Sequence, residues 1–377
     1  MEENHSSIQS TSFLPANIER VVVKIGTQTL TGGGRTIDVR RVQSLCAQVA
    51  ALRKRGIEVI IVSSGAVGLG MGVLGYEERP KELASLQACA AIGQTLMIET
   101  WRSSLSNHKL TAAQILLTHE DVRGRKRHLS AGRTLERLLE IGAIPIVNEN
   151  DTVSADEIKF GDNDLLSALV ASLSQASLLV ILTTARGLLD LSTDSLIPVV
   201  EEITPEIKAL AGGTDDPTAT GGMTTKLSAA NVAMRSGCGV FIGDGQDPNL
   251  LLQLLQGTAI GTFFVPDKLS LGARKRWIAF FGRANGSVVI DKGAAKALRT
   301  DGSSLLAIGV TATTGSFVEN DIVTVTDASG QVIARGQVRF SATELESLIG
   351  LSRQEVEARF PDRKHFEVIH RDDLVLI

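Results

Sequence analysis

The sequence predicts an α/β protein with a mainly parallel sheet sandwiched by helices, followed by a small, mainly-β module. Short apolar strands alternate with amphipathic helical segments between about residues 21 and 242, the pattern of a parallel sheet covered on both faces. From Ser287 onward the segments turn short and strand-like, with turn residues between them. The 377-residue length accommodates two or three domains.

The elements follow in order. Residues 1–17 are polar and read as a loose tail. Val21–Val23 is a strand. Asp38 is placed to cap a helix in which Val42, Leu45, Cys46, Val49 and Leu52 recur at helical spacing, and Gly56 stops it. Val59–Val62 is the next strand, and a long helix covers roughly 80–105. Ile115–Leu117 is a strand, followed by a helix over 129–141 that carries Leu135, Leu138 and Leu139 on one face and ends at Gly142. Ile144–Val147 is a strand, Leu165–Leu173 a helix, Leu178–Leu182 a strand, Lys226–Ser236 a helix and Val240–Ile242 a strand. Beyond the basic cluster Arg274–Arg276, the runs Ile322–Thr326 and Val332–Arg335 flank the turn residues 327–330 and read as a hairpin.

Composition narrows the function. Hydrophobic residues make up 43% of the chain and charged residues 21%, which excludes collagen-like, low-complexity and mostly disordered chains. A net charge of −4 does not suit a protein built mainly to coat nucleic acid or an anionic membrane. Cys46, Cys89 and Cys238 are scattered and odd in number, and the six histidines show no ligand spacing, so neither a disulfide frame nor a zinc site is supported. The first residues lack a basic and an apolar region, unlike a signal peptide. No apolar run approaches the roughly 20 residues needed to cross a bilayer. A cytoplasmic location is the expectation.

Three nucleotide motifs are set aside. Gly70, Gly72 and Gly75 match G-x-G-x-x-G, but the pattern is displaced from the strand end at Val62, and no strand ends with an acid about 20 residues on. These glycines are expected in a sharply turning loop. No G-x-x-x-x-G-K-[ST] and no protein-kinase motif set occurs.

Five strand-end or helix-opening loops remain. Lys24-Ile25-Gly26-Thr27 leaves a buried strand; it suits phosphate contact and an ordinary loop lysine equally well. Ser63-Ser64-Gly65-Ala66 is either a close approach to a ligand or a plain tight turn. Asn148-Glu149-Asn150-Asp151 puts four polar residues at a strand end, where donors and acceptors suit the amino-acid end of a substrate or merely solvate a loop. Gly161-Asp162-Asn163-Asp164 opens a helix, either as caps or with one Asp orienting lysines and Asn holding substrate. Thr220-Gly221-Gly222-Met223-Thr224-Thr225-Lys226 opens another helix. There a lysine in the first turn is unfavourable unless an anion offsets it, and that mismatch favours phosphate binding. Two lysines, an Asp able to position them and Gly/Thr nests are what phosphoryl transfer needs, because that reaction asks for charge stabilisation and in-line positioning.

VVVKIGT (21–27), VSSGAV (62–67), VNENDTV (147–153), IKFGDNDLLSA (158–168) and TGGMTTKLSAA (220–230) resemble, in order and spacing, the glutamate 5-kinases of the amino-acid kinase fold. The tail beginning RKRWI at 274–278 resembles the PUA domain that many bacterial members carry. The resemblance implies a flexible tail over 1–17, a kinase domain over 18–268 and a PUA domain over 275–377. It implies ATP-dependent phosphorylation of the glutamate γ-carboxylate, the first step of proline synthesis, with Mg2+ held mainly by the nucleotide phosphates. By position, Lys24 and Lys226 would stabilise transfer and Asp164 would orient them. Ser64, Asp151 and Asn163 would bind glutamate. Lys24, Thr183, Thr184, Thr220, Gly221, Gly222, Met223, Thr224, Thr225 and Lys226 would meet ATP. Inhibition by proline and a homo-oligomeric state are family properties that it also implies. In one departure, the family's Leu-Thr-Asp-x-x-Gly-Leu-Tyr stands here as Leu182-Thr183-Thr184-Ala185-Arg186-Gly187-Leu188-Leu189, so an acid is lost beside the nucleotide. Rival readings are a related kinase with another carboxylate substrate, and RNA binding by the tail. The latter gains little from a tail with 14 Lys/Arg against 13 Asp/Glu; a structural or regulatory module is the default there.

Overall fold

A computed structural model describes residues 18–118, 120–121, 124–153, 162–190, 192–211, 222–267 and 271–377. These form two compact units, one drawn from residues 18–121 and 126–267 and the other from residues 124–125 and Leu271–Ile377.

The first unit is built on an eight-stranded sheet. Its strands are β1 (Arg20–Ile25), β2 (Glu58–Ser63), β3 (Ala112–Leu117), β4 (Ile144–Glu149), β5 (Leu178–Thr183), β8 (Val199–Val200), β9 (Gly239–Asp244) and β10 (Gly261–Phe264), with β6 (Leu189–Asp190) and β7 (Ser195–Leu196) as a separate small ribbon. The spatial order is β3-β4-β2-β1-β5-β9-β10-β8, and every neighbouring pair is parallel except β9 with β10. Strands β1, β2, β4, β5 and β9 are buried along nearly their whole length. This is why they read as unbroken runs of Val, Ile and Leu rather than as alternations.

The helices are α1 (Thr27–Thr31), α2 (Val39–Lys54), α3 (Ala66–Leu74), α4 (Leu83–Ser106), α5 (Arg125–Glu140), α6 (Asp162–Leu173), α7 (Pro205–Leu210), α8 (Met223–Arg235) and α9 (Leu250–Gln256). The Asp38 carboxylate caps α2 by accepting from the backbone N–H of Arg40 and Arg41. Among the described residues no helix is long and apolar enough to cross a membrane.

The segment around Gly70–Gly75 corrects the sequence reading: it is helix α3, not a turning loop, and only Gly75 sits in the left-handed region, as its C-cap. The other glycines serve packing. A Cβ on Gly70 would stand 1.8 Å from the Cys89 carbonyl oxygen, and one on Gly93 of α4 would stand 1.8 Å from the Ala66 carbonyl oxygen. The two helices press backbone to backbone, which only glycine permits.

The strand order makes β1 the turning point, with β2, β4 and β3 laid down on one side and β5 and β9 on the other. Ligands in such sheets sit beyond the carboxyl ends of the strands at this switch. The register brings the relevant loops level: Lys24 lies opposite Val62 and Ile181, and Ile25 opposite Ser63 and Leu182.

The second unit holds a five-stranded sheet in the order β12-β11-β13-β14-β15, from β11 (Ala284–Ile290), β12 (Val310–Gly315), β13 (Ile322–Thr326), β14 (Val332–Gln337) and β15 (Leu374–Leu376). β13 and β14 form the expected antiparallel hairpin, whose turn is tied by the Asp327 carboxylate accepting from the N–H of Ser329 and Gln331. The Arg274–Arg276 cluster belongs to a short helix, Ala273–Arg276, that runs into a π-helical stretch, Trp277–Phe281. The unit has its own apolar core, including Val288, Val323, Val325, Phe340, Leu345 and Val368.

Candidate active site

Lys24 is the fifth residue of β1, and its ammonium stands over the turn at Gly26, where an added Cβ would lie 3.8 Å from Nζ. The chain goes directly from this strand into α1, with Gly26 as N-cap. Asp164 lies in the first turn of α6, wholly buried, and Lys226 in the first turn of α8. The three meet. Lys24 Nζ is 2.6 Å from Asp164 Oδ1, and Lys226 Nζ is 3.3 Å from Asp164 Oδ2. Thr225 completes the cluster, its hydroxyl donating to Asp164 Oδ2 at 2.7 Å. Both lysines are 6% exposed.

The electrostatics follow from that burial. Loss of water drives the Asp164 carboxyl up, but Lys24 and Lys226 more than offset this and hold it below the usual carboxylate range, helped by hydrogen bonds from Lys24 and Thr225. Burial lowers the Lys226 ammonium below the usual lysine range; Asp164 opposes that and the neighbouring Lys24 reinforces it. Within the cluster, two cations share one carboxylate. Buried charge demands a partner, so the arrangement suits a phosphate anion arriving between the lysines.

A second group lies beside it. Asn163 Nδ2 donates to Ser64 Oγ at 2.9 Å and to Asn148 Oδ1 at 2.9 Å, and Asn148 Nδ2 donates to Gln94 Oε1 at 2.9 Å. Ser64 follows β2, and its N–H bonds the Ile25 carbonyl, so it is tied directly to the end of β1. The next residue, Gly65, has φ +107° and would crowd Thr27 if it carried a Cβ, which is where the Ser-Gly pair needs its glycine.

The structure therefore brings Lys24, Asp164, Thr225 and Lys226 together, and Ser64 with Asn163. Asp151 lies in the turn after β4, half-buried, within electrostatic reach of Arg79. Burial lowers the Arg79 guanidinium below its usual range, and Asp151 works against that. Thr183 closes β5 opposite Asp244, and its carbonyl accepts from the Gly245 N–H. Thr184 is exposed in the bend that follows. Gly222 is the N-cap of α8 and Met223 its first residue; the Thr224 hydroxyl reaches the Ala211 carbonyl. Thr220 and Gly221 lie outside the described residues.

Gln94 and Arg79 belong to the neighbourhood but escaped the sequence reading. Gln94 sits in the small-residue run Ala90-Ala91-Ile92-Gly93 of α4, where a buried carboxamide is the only signal. Asn148 was read only as part of a strand-end loop; it is 2% exposed inside β4, which runs two residues beyond the expected end. Arg79 had no signal beyond its charge.

Two buried lysines, an organising carboxylate and helix N-termini gathered at the switch point of a mainly parallel sheet make a candidate site for phosphoryl transfer without a Walker loop. Residues 19–244 match the amino acid kinase family and residues 286–360 match the PUA domain. The chain is 44% identical to the glutamate 5-kinase of Caldanaerobacter subterraneus subsp. tengcongensis over 363 residues, 95% of this chain and 98% of that one. It is 45% identical to that of Thioalkalivibrio sulfidiphilus over 95% of this chain and 97% of that one. Among solved structures, carbamate kinase from Giardia lamblia bound to AMP-PNP aligns with TM-score 0.48 and 15% identity, over 67% of this chain and 99% of that one. The chain belongs to the amino acid kinase family, as a member of its glutamate 5-kinase group.

Proposed function

We propose that this chain transfers the γ-phosphoryl group of ATP to the γ-carboxylate of L-glutamate, giving L-glutamyl 5-phosphate and ADP, the first step of proline synthesis from glutamate. The observation that carries the chemistry is the buried Lys24–Asp164–Lys226 cluster at the carboxyl end of β1. The substrate's identity rests on the glutamate 5-kinases that the chain resembles over nearly its full length.

In this reading Lys24 and Lys226 face the transferred group from two elements and take up the charge on its oxygens as it passes. Asp164 keeps the two ammonium groups together against their repulsion. Gly222, Met223, Thr224 and Thr225 at the start of α8, with Thr220 and Gly221 before them, cradle the nucleotide phosphates, and Thr183 and Thr184 meet the nucleotide. Ser64, Asp151 and Asn163 hold glutamate. The γ-carboxylate is already ionised at neutral pH, so it attacks the γ-phosphorus directly and needs no general base. Mg2+ accompanies ATP and neutralises part of the phosphate charge. The ion is held mainly by phosphate oxygens and water, the ligands it prefers. Proline inhibition acting at the glutamate loops, a homo-oligomeric state and a cytoplasmic location complete the reading, with the second unit as a structural or regulatory module.

The test is an ATP-dependent hydroxamate assay, in which hydroxylamine traps the acyl phosphate, run with glutamate, N-acetylglutamate and aspartate, with and without proline. Product from glutamate alone, reduced by proline, is expected. Product from another carboxylate only would keep the phosphotransfer chemistry and reassign Asp151 and Asn163. Recovery of labelled phosphate covalently bound to the protein after incubation with γ-labelled ATP would overturn direct transfer.

A further inference from the structure

Gln94, Asn148 and Asn163 form a chain of carboxamides with one direction. Gln94 Oε1 accepts from Asn148 Nδ2, and Asn148 Oδ1 accepts from Asn163 Nδ2. Asn163 Nδ2 spends its other proton on Ser64 Oγ. Both donors of Asn163 are thus committed inside the protein. Its Oδ1 is left as a buried acceptor with no hydrogen-bond donor among the described residues. A buried amide oxygen without a donor is unusual and calls for a partner.

The direction is not intrinsic to the amides. If all three turned over together, Gln94 Nε2 would donate to Asn148, Asn148 would donate to Asn163, and Asn163 would present Nδ2 in place of Oδ1. The inner end of the chain is Gln94, on α4, one residue past the Gly93 contact that locks α4 against α3; like Asn163 Oδ1, its Nε2 is buried with no hydrogen-bond partner among the described residues. Among the groups of glutamate at neutral pH, only the α-ammonium donates hydrogen bonds.

We infer that Gln94 is a positioning residue for substrate specificity. Acting through Asn148, it holds the Asn163 amide with its oxygen available to the substrate's α-ammonium, so the pocket prefers a dicarboxylate that carries a free amino group. Gln94 touches neither substrate nor nucleotide. The inference rests on the glutamate-phosphorylating reading.

The test compares L-glutamate with glutarate, the same dicarboxylate without the amino group, on the full chain. KM is measured for glutamate and for ATP, and Ki for glutarate as a competitor of glutamate. The wild-type chain is expected to favour glutamate. Gln94→Met, which keeps the volume and removes the acceptor, is expected to raise the glutamate KM on the order of 10- to 100-fold, the worth of a hydrogen bond to a charged group. The glutarate Ki and the ATP KM should stay within about threefold. Gln94→Glu, whose side chain still accepts from Asn148, is expected to keep the preference for glutamate. The inference is overturned if Gln94→Met leaves the glutamate-to-glutarate ratio unchanged or weakens both ligands alike, or if Gln94→Glu abolishes the preference. A wild-type chain that phosphorylates no glutamate at all would instead remove the underlying reading.

Discussion

Asp164 carries two ammonium groups on one carboxylate, and removing a cation differs in its consequences from removing the anion. Lys226→Ala takes away a preorganised cation aimed at charge that develops during transfer. It is expected to lower kcat by about 100-fold or more, read by steady-state ADP release; a loss below about tenfold would make Lys226 a structural residue. Asp164→Asn leaves two buried lysines facing each other without their counter-charge. Breaking a buried pair from one side costs about 3–5 kcal/mol, so urea unfolding should show a large loss of stability together with the loss of activity. The pH dependence has a definite sign. Asp164 is held below the usual carboxylate range in the folded chain, while in the unfolded chain it titrates near 3.9. Its contribution is therefore complete at neutral pH and begins to fade as pH falls through about 4. It is lost only when pH passes the lower folded value, because in that window the unfolded chain binds the proton and the folded chain does not. Asp164→Asn should flatten this part of the acid-side stability curve, measured by unfolding midpoints at stepped pH.

At the scale of elements, the contact between α3 and α4 decides more than its apolar content does. Gly70 and Gly93 let backbone meet backbone at distances that no Cβ can share. Gly93→Ala is expected to cost at least the roughly 1–3 kcal/mol of ordinary overpacking, because the obstacle is a carbonyl and not a side chain that can turn away. Circular-dichroism melts should show the drop. Because Gly65 and Ser64 open α3 and Gln94 follows Gly93, the glutamate KM should rise as well. The same contact explains a failure of reading. A strand announces itself by its own residues, and so β1, β2, β4, β5 and β9 were legible from runs such as Val21–Val23 and Val59–Val62. A glycine-rich helix does not, because its reason for existing lies in the partner helix. In α3, Gly70 and Gly72 look like turn formers, and only the carbonyls they face, of Cys89 and Arg35, show why small residues are required.

At the scale of the whole chain, the distinction between local and tertiary information recurs. The order of apolar runs and turn residues made the mainly parallel sheet legible, and strand-end chemistry flagged Lys24, Ser64, Asn163 and Lys226. What no local pattern could supply was that Asp164 would be wholly buried with both lysines upon it, or that Gln94, distant in sequence, would be joined through Asn148 to Asn163. Those facts depend on which strands become neighbours. That each unit has a core of its own is likewise a tertiary property. The kinase-family residues enclose a core that runs from Val21 and Val59 through Trp101, Val180 and Phe263, whereas the second unit packs its own, from Val288 to Leu374. Every residue of the Lys24–Asp164–Lys226 cluster and of the Gln94–Asn148–Asn163 chain belongs to the first unit. A domain with its own core and a complete site should fold and act alone. A chain ended after residue 267 is therefore expected to remain folded, to bind ATP and to form glutamyl hydroxamate with kcat within about tenfold of the full chain. An insoluble or unfolded product would show that the first unit needs the second for its stability. A folded product with normal ATP binding but no transfer would show that the catalytic residues depend on groups beyond residue 267.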